Sequence, residues 1–333
     1  MKRAKVPWTE RMSRLRAPLD VVTGCYPAFL LGGKLNPHIL PVFHFHEVTP
    51  DYLEPYLRYL KDNDYRAASV DTLVKFLQEG EPLKPRTVLL TFDDSWASLW
   101  TVAAPLLRRY GLRATTFAVP GRVSTRQGVR PTIEDAPDSK DFGDRSEEPF
   151  CRWDELARLD RDGVVEVESH TFAHEQIPVG FADPEAAWTG DQINETPILS
   201  KPLIWDGPES FRPLDEREIG KWKSVTRSRM SDARQWIAEE NRFETDEEAR
   251  DAIRRDLTLC REKMETLLAR PARILCFPWA VAGEMAREEA RAVGYQAAFS
   301  DSFPGKRFVH RKADPFRLMR LKHNWIFRLP PRK

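Results

Sequence analysis

Cysteine is scarce in this 333-residue chain. Cys25, Cys151, Cys260 and Cys276 lie far apart and form no C-x-x-C pair. That argues against a disulfide framework and favours a reducing compartment. Long apolar runs are missing as well, so no transmembrane helix is expected. The stretch Val21–Leu31 is short and is interrupted by Thr23, Gly24 and Pro27. Val22-Thr23-Gly24-Cys25 has the look of a lipoprotein cleavage box, but no uninterrupted apolar segment precedes it. No signal peptide is read there, and a cytoplasmic location is the expectation. Nor is there an excess of charge of either sign. Lys and Arg number 52 against 51 Asp and Glu, a net charge of +1, which gives no basic field for nucleic acid. Glycine is outnumbered by proline, 16 to 26, a balance that suggests ordered but irregular loops.

What is present is organised around Thr91-Phe92-Asp93-Asp94. The apolar run from Thr87 reads as a buried strand ending on two adjacent carboxylates. Such a pair is costly in a core and useful in a cleft. Its plainest explanation is a strand end followed by an Asp cap for a helix over 95–110.

The rest of the chain alternates. Ile39–Phe43 reads as a strand running into His44-Phe45-His46-Glu47, with His44 and His46 on one side of the extended chain. Tyr52, Leu53, Tyr56, Leu57 and Leu60 recur at helical spacing, and Ser69 caps a second helix that ends before Gly80. Arg113–Val119, Val164–Ser169, Arg273–Phe277, Tyr295–Phe299 and Phe316–Leu321 read as further strands. Thr245 opens a helix with a capping box, and Glu284–Val293 forms another before Gly294. This alternation implies βα units and a mainly parallel sheet or barrel. Residues 1–38 read as an N-terminal arm, its Arg14/Arg16 segment a solvated surface, and 39–329 as one domain. Residues 175–244 lack clear periodicity and read as an inserted loop or lid. Trp188, Trp205 and Trp222 within it are read first as packing, with stacking on a ligand ring as the alternative.

Three strand ends thus carry unusual polar residues: His44/His46, Asp93/Asp94 and His170/His174. Carboxyl ends of parallel strands gather on one face, where sites are built. If the chain turns helical at 170–174, both imidazoles share a side. Two imidazoles and a carboxylate make a three-ligand site with open positions, and a second carboxylate beside it could take a proton from a bound water. A lone H-x-x-x-H is a weak signal. Four of the seven histidines at two such ends, with the Asp pair at a third, make chance clustering the minority reading.

These segments, in this order, resemble the polysaccharide deacetylases of the NodB-homology, carbohydrate esterase family 4 type. Thr91-Phe92-Asp93-Asp94 matches the first family motif, Ser169-His170-Thr171-Phe172-Ala173-His174 the second, and Phe277-Pro278-Trp279 is similar to the third. Phe45-His46-Glu47-Val48 resembles the Tyr-His segment that opens one branch. The resemblance implies a distorted (β/α) barrel of about seven strands. It implies removal of an acetyl group, usually N-linked, from an acetylated carbohydrate or glycoconjugate. It also implies one divalent metal ion, Zn²⁺ first, with Co²⁺, Ni²⁺ or Mn²⁺ as alternatives. Carried over by position, Asp94, His170 and His174 would hold the metal, Asp93 would be the base and His46 the acid. Pro278 and Trp279 would line the substrate groove.

Three positions depart from the family pattern. Ser95 and Ala280 stand where glycine is frequent, and Cys276 where many members carry an arginine that orients the base. Ser95 is expected to alter its turn more than the chemistry, and Arg273 is a candidate to reach Asp93 in the missing arginine's place. His323 is a rival to His46 for the acid. Two other readings stay open: a non-catalytic carbohydrate-binding relative, and an amidohydrolase-type barrel using His44 and His46 as a metal pair.

Overall fold

A computed structural model describes residues 24–136, 148–182, 203–205, 211–213, 223–237, 239–240, 242–300 and 306–332. Arg14 and Arg16, and also Trp188 and Trp222, lie outside the described residues.

The chain opens with β1 (Ile39–Leu40), β2 (Val42–Phe45) and α1 (Pro50–Asp62). Next come β3 (Arg66–Ala67), α2 (Val70–Gln78) and β4 (Thr87–Asp93). The expected helix over 95–110 begins slightly late: residues 94 and 95 form a turn, Trp96 bridges to Phe150, 97 and 98 start the helix, Leu99–Ala103 widen it into a π turn, and α3 covers Ala104–Tyr110. Beyond it lie β5 (Ala114–Ala118), α4 (Trp153–Arg161) and β6 (Val165–Ser169). The 175–244 region holds β7 (Gln176–Ala182), β8 (Leu203–Trp205), β9 (Phe211–Pro213), β10 (Lys223–Ser228), β11 (Trp236–Ile237) and β12 (Arg242–Phe243). The chain ends with α5 (Asp246–Leu268), β13 (Ile274–Cys276), α6 (Glu284–Val293), β14 (Ala297–Phe299), β15 (Val309–His310) and β16 (Leu321–Lys322).

Local chemistry sets several of these boundaries. The Ser69 hydroxyl accepts the Thr72 N–H at 3.1 Å and caps α2. Thr245 and Glu248 cap each other's backbone N–H groups at the start of α5. Gly111 and Gly294 end α3 and α6 in the left-handed conformation.

Seven strands pair in the order β14-β13-β6-β5-β4-β2-β16, with β3 beside β4. Every pairing in this sheet is parallel. The sheet curls until one segment touches both edges. Leu318 is hydrogen-bonded with Ala298 and Ser300 beside β14, while Leu321 and Lys322 pair with β2. The result is the expected distorted (β/α) barrel.

Alternate residues of each strand enter two apolar clusters, as the pleat requires. Val42, Leu89, Phe117, Ile274 and Phe299 pack together with Leu73 and Phe76 of α2. Phe43, Leu90, Ala118, Leu275 and Ala298 face the other way, toward the remaining helices. The described end of the 1–38 segment joins the second cluster through the buried Phe29 and Leu30. Within 175–244, β7 pairs with β10, β8 with β9 and β11 with β12, all antiparallel, so this stretch carries more regular structure than its sequence suggested. Among the described residues no helix is long and apolar enough to cross a membrane.

Candidate metal and hydrolytic site

Because the strands are parallel, β2, β4, β6 and β13 deliver His46, Asp93/Asp94, His170/His174 and Pro278/Trp279 to one end of the curl. Leu89, Thr91 and Asp93 alternate onto the inner side, and Asp94 is turned out of register by a left-handed backbone (φ 68°). Ser95 follows at φ 53°. This is a left-handed conformation that glycine adopts more readily than serine. The Ser95 hydroxyl is hydrogen-bonded to that of Thr116 at 3.0 Å, which helps to hold it there.

The 170–174 segment is not helical. It is an irregular turn in which Thr171 (φ 65°) and His174 (φ 51°) are both left-handed. The turn still brings the two imidazoles together, with ring centres 4.9 Å apart. Asp94 Oδ1 lies 3.4 Å from His170 Nε2 and 3.6 Å from His174 Nε2. The His170 Nδ1 group is 2.6 Å from the Cys276 carbonyl, which can only accept, so Nδ1 carries a proton and Nε2 is the ring nitrogen turned toward Asp94. Burial, then the neighbouring His170 and Arg122, hold the His174 imidazole well below its usual pKa, hence neutral. Trp279, itself left-handed at φ 54°, packs edge-on against His174 at 4.2 Å. Pro278 beside it is buried.

Asp93 has a different environment. Arg320 donates to both its oxygens, at 2.6 and 2.8 Å, and to the Thr91 hydroxyl at 3.1 Å. Burial pushes the Asp93 carboxyl up, but the Arg320 guanidinium outweighs burial and holds it well below the usual carboxylate range. Arg273 does not reach it. Arg273 pairs instead with Asp71 at 3.6 Å, because its strand start is at the opposite end of the barrel. His46 Nε2 stands 3.6 Å from Asp93 Oδ2 and is 53% exposed, open to solvent and to a substrate. His323 is turned elsewhere: its ring stacks on Phe45, and its Nε2 meets the Tyr52 hydroxyl at 2.5 Å.

Among the described residues, three groups could offer metal-ligand atoms within 4.8 Å of one another. Asp94, His170 and His174 fit best. Asp94 Oδ1 is buried and has no hydrogen-bond partner, the condition of a carboxylate awaiting a cation. The groups that include Asp93, one with His44 and His46 and one with His170 and Cys276, present oxygens that Arg320 already engages. A further cation there meets a guanidinium. His44 is kept neutral, with its pKa down at about 3, by burial and then by Arg320.

Comparison with known proteins gives one family match and several related folds. A family model described as Polysaccharide deacetylase matches residues 80–201, which include both the Asp pair and the histidine turn. Over that stretch the chain is similar to the polysaccharide deacetylases. It is 24% identical over 258 residues to the poly-beta-1,6-N-acetyl-D-glucosamine N-deacetylase of Escherichia coli K12, covering 77% of this chain and 31% of that one. This chain therefore matches about a third of that relative's length. Two solved structures share the fold. The BpsB deacetylase domain from Bordetella bronchiseptica aligns with a TM-score of 0.60 at 18% identity, over 86% of this chain and 96% of that one. A de-N-acetylase from Aggregatibacter actinomycetemcomitans aligns with a TM-score of 0.59 at 17% identity, over 85% and 94%.

The Asp pair and the histidine turn lie inside the matched stretch, whereas the arginine that engages Asp93 comes from outside it. Cys276 turns its side chain into the inner apolar cluster and uses its carbonyl on His170. The guanidinium comes from Arg320, in the segment that closes the barrel. Sequence reasoning missed Arg320, although it sits inside the last expected strand, one residue from Leu321.

Proposed function

We propose that this chain is a metal-dependent hydrolase that removes an acetyl group, N-linked to a sugar, from a carbohydrate or glycoconjugate. The unit that does so is residues 39–329, with 175–244 bearing on substrate choice. The observation that carries this reading is the division of labour between two adjacent carboxylates. Asp94 offers an unpartnered buried oxygen to two neutral-capable imidazoles, while Asp93 is gripped by Arg320 beside an exposed histidine.

Asp94, His170 and His174 would hold the divalent ion. Their donor set suits Zn²⁺, and also Co²⁺, Ni²⁺ and Mn²⁺. Bound there, such an ion would polarise the acetyl carbonyl and lower the pKa of a coordinated water. Asp93, fixed in its ionised form, accepts a proton from the attacking water on one carboxylate oxygen. Arg320 holds the carboxylate plane through both N–H groups, so the base is oriented before substrate arrives. His46 delivers a proton to the amide nitrogen as the C–N bond breaks, and the products are a free amine and acetate. Pro278 and Trp279 form the wall against which the sugar lies.

The E. coli relative's name specifies a polymer of β-1,6-linked N-acetylglucosamine, and oligomers of that sugar are the first substrates to test. Arg320 weighs against the paired-metal reading built on His44 and His46. The direct assay is acetate release from acetylated oligosaccharides by metal-stripped and Zn²⁺-reloaded protein. Metal-restored release supports the proposal. Retained metal and sugar binding without acetate from any substrate would favour the non-catalytic alternative.

A further inference from the structure

The turn between His170 and His174 is held from both sides. On one side, the Gly121 N–H donates to the Phe172 carbonyl at 3.0 Å. A Cβ at Gly121 would sit 2.9 Å from that oxygen, so the approach needs glycine. On the other side, Asp256 accepts the Phe172 N–H at 2.8 Å on one oxygen and the Ala173 N–H at 3.0 Å on the other.

Asp256 is misplaced by ordinary helix rules. It lies mid-way along α5, 6% exposed, next to the buried Leu257 and on the face that also buries Ile253 and Cys260. A carboxylate there is costly unless satisfied. No ion pair to it is found among the described residues, and its hydrogen-bond donors are the two N–H groups of the turn. Those N–H groups belong to the two residues between the left-handed Thr171 and His174. Left-handed non-glycine residues persist only where surrounding contacts over-determine them.

We propose that Asp256 is a positioning residue for the metal site: it clamps the peptide groups between His170 and His174 and thereby fixes the separation and aim of the two imidazoles. This rests on the metal-site reading given above. The clamp acts on the backbone of the ligand-bearing turn rather than on a ligand ring, from a residue more than eighty positions downstream.

The test compares wild type with Asp256→Asn and Asp256→Ala in the full chain. Zn²⁺ binding is measured by calorimetry, the absorption spectrum is recorded with Co²⁺ in place of zinc, and hydrogen exchange of the 170–174 segment is followed without metal. Loss of an outer support typically weakens metal affinity by about 10- to 100-fold. Asp256→Ala should fall in that range, shift the cobalt bands, and exchange faster at 170–174 while β6 stays protected. Asn keeps one acceptor and should lie between the two, which also covers the case in which Asp256→Ala does not fold. Unchanged zinc affinity, cobalt spectrum and exchange in a folded Asp256→Asn would overturn the clamp while leaving the metal site standing. Absence of zinc binding by wild type would overturn both.

Discussion

Arg320 grips both oxygens of Asp93, at 2.6 and 2.8 Å, from the segment that joins the two edges of the barrel. Closure of the sheet and orientation of the Asp93 carboxylate therefore go together. The guanidinium is 8% exposed and the carboxylate 4%, so neither charge has water to fall back on.

Removal of that cation should be felt twice. Breaking a buried pair on one side typically costs roughly 3 to 5 kcal/mol, so Arg320→Ala should unfold at clearly lower denaturant concentration. Loss of alignment should also lower kcat by about 100-fold. The pH dependence has a defined sign. The Asp93 pKa is depressed in the folded protein, so its contribution to stability is present above the ordinary carboxylate range and lost as pH falls. Without Arg320, burial alone acts and the Asp93 pKa rises. The acid limb of the kcat/KM profile should move to higher pH in Arg320→Ala, and less so in Arg320→Lys.

The choice between two histidines is equally open to measurement. His46 stands 3.6 Å from Asp93, whereas His323 stacks on Phe45 and meets Tyr52. His46→Ala should lose about 10² to 10⁴ in kcat while keeping its metal. His323→Ala should leave kcat largely unchanged. The opposite pattern would assign the acid to His323.

Ser95 tests how the turn after the Asp pair is held. Its left-handed backbone costs about 1 kcal/mol that glycine would not incur, and its hydrogen bond to Thr116 returns about the same amount. Ser95→Gly should therefore melt close to wild type. Ser95→Ala keeps the strain and loses the bond, and should be less stable by about 1 kcal/mol in thermal unfolding.

His44 predicts an acid sensitivity of folding. Its pKa is held at about 3 in the folded protein against 6.5 in an ordinary imidazole, by burial and then Arg320. A group with a depressed folded pKa contributes stability above 6.5 that is lost as pH falls toward 3. Wild type should lose on the order of 1 to 2 kcal/mol between pH 6.5 and about 5 through this group. His44→Gln should flatten that part of the stability curve, as read from urea unfolding at each pH.

The parallel strands, and the residues the fold brings together at their ends, could be read from sequence because their signals are local. A strand ending in Asp-Asp, a Ser-His turn after another strand, and apolar periods between them are each contained in a few consecutive residues. What could not be read depends on distance or on backbone geometry. Arg320 is one of many arginines, and nothing near it in sequence announces Asp93. Arg273 is close to Cys276 in sequence, but it stands just before the amino end of β13, away from the site, and pairs with Asp71. Asp256 looks like an ordinary polar position until α5 is rotated onto its buried face. The spacing of His170 and His174 fits one helical turn, yet two left-handed residues achieve the same convergence. Side-chain spacing constrains where imidazoles meet, not the φ angles that bring them there.

The central claim is that Asp94 holds a metal and Asp93 works beside it as a base. It is tested most directly by Asp93→Asn, assayed for bound zinc and for acetate release on the same preparation. The account predicts about one zinc ion per chain and no acetate. Full acetate release by Asp93→Asn would contradict it.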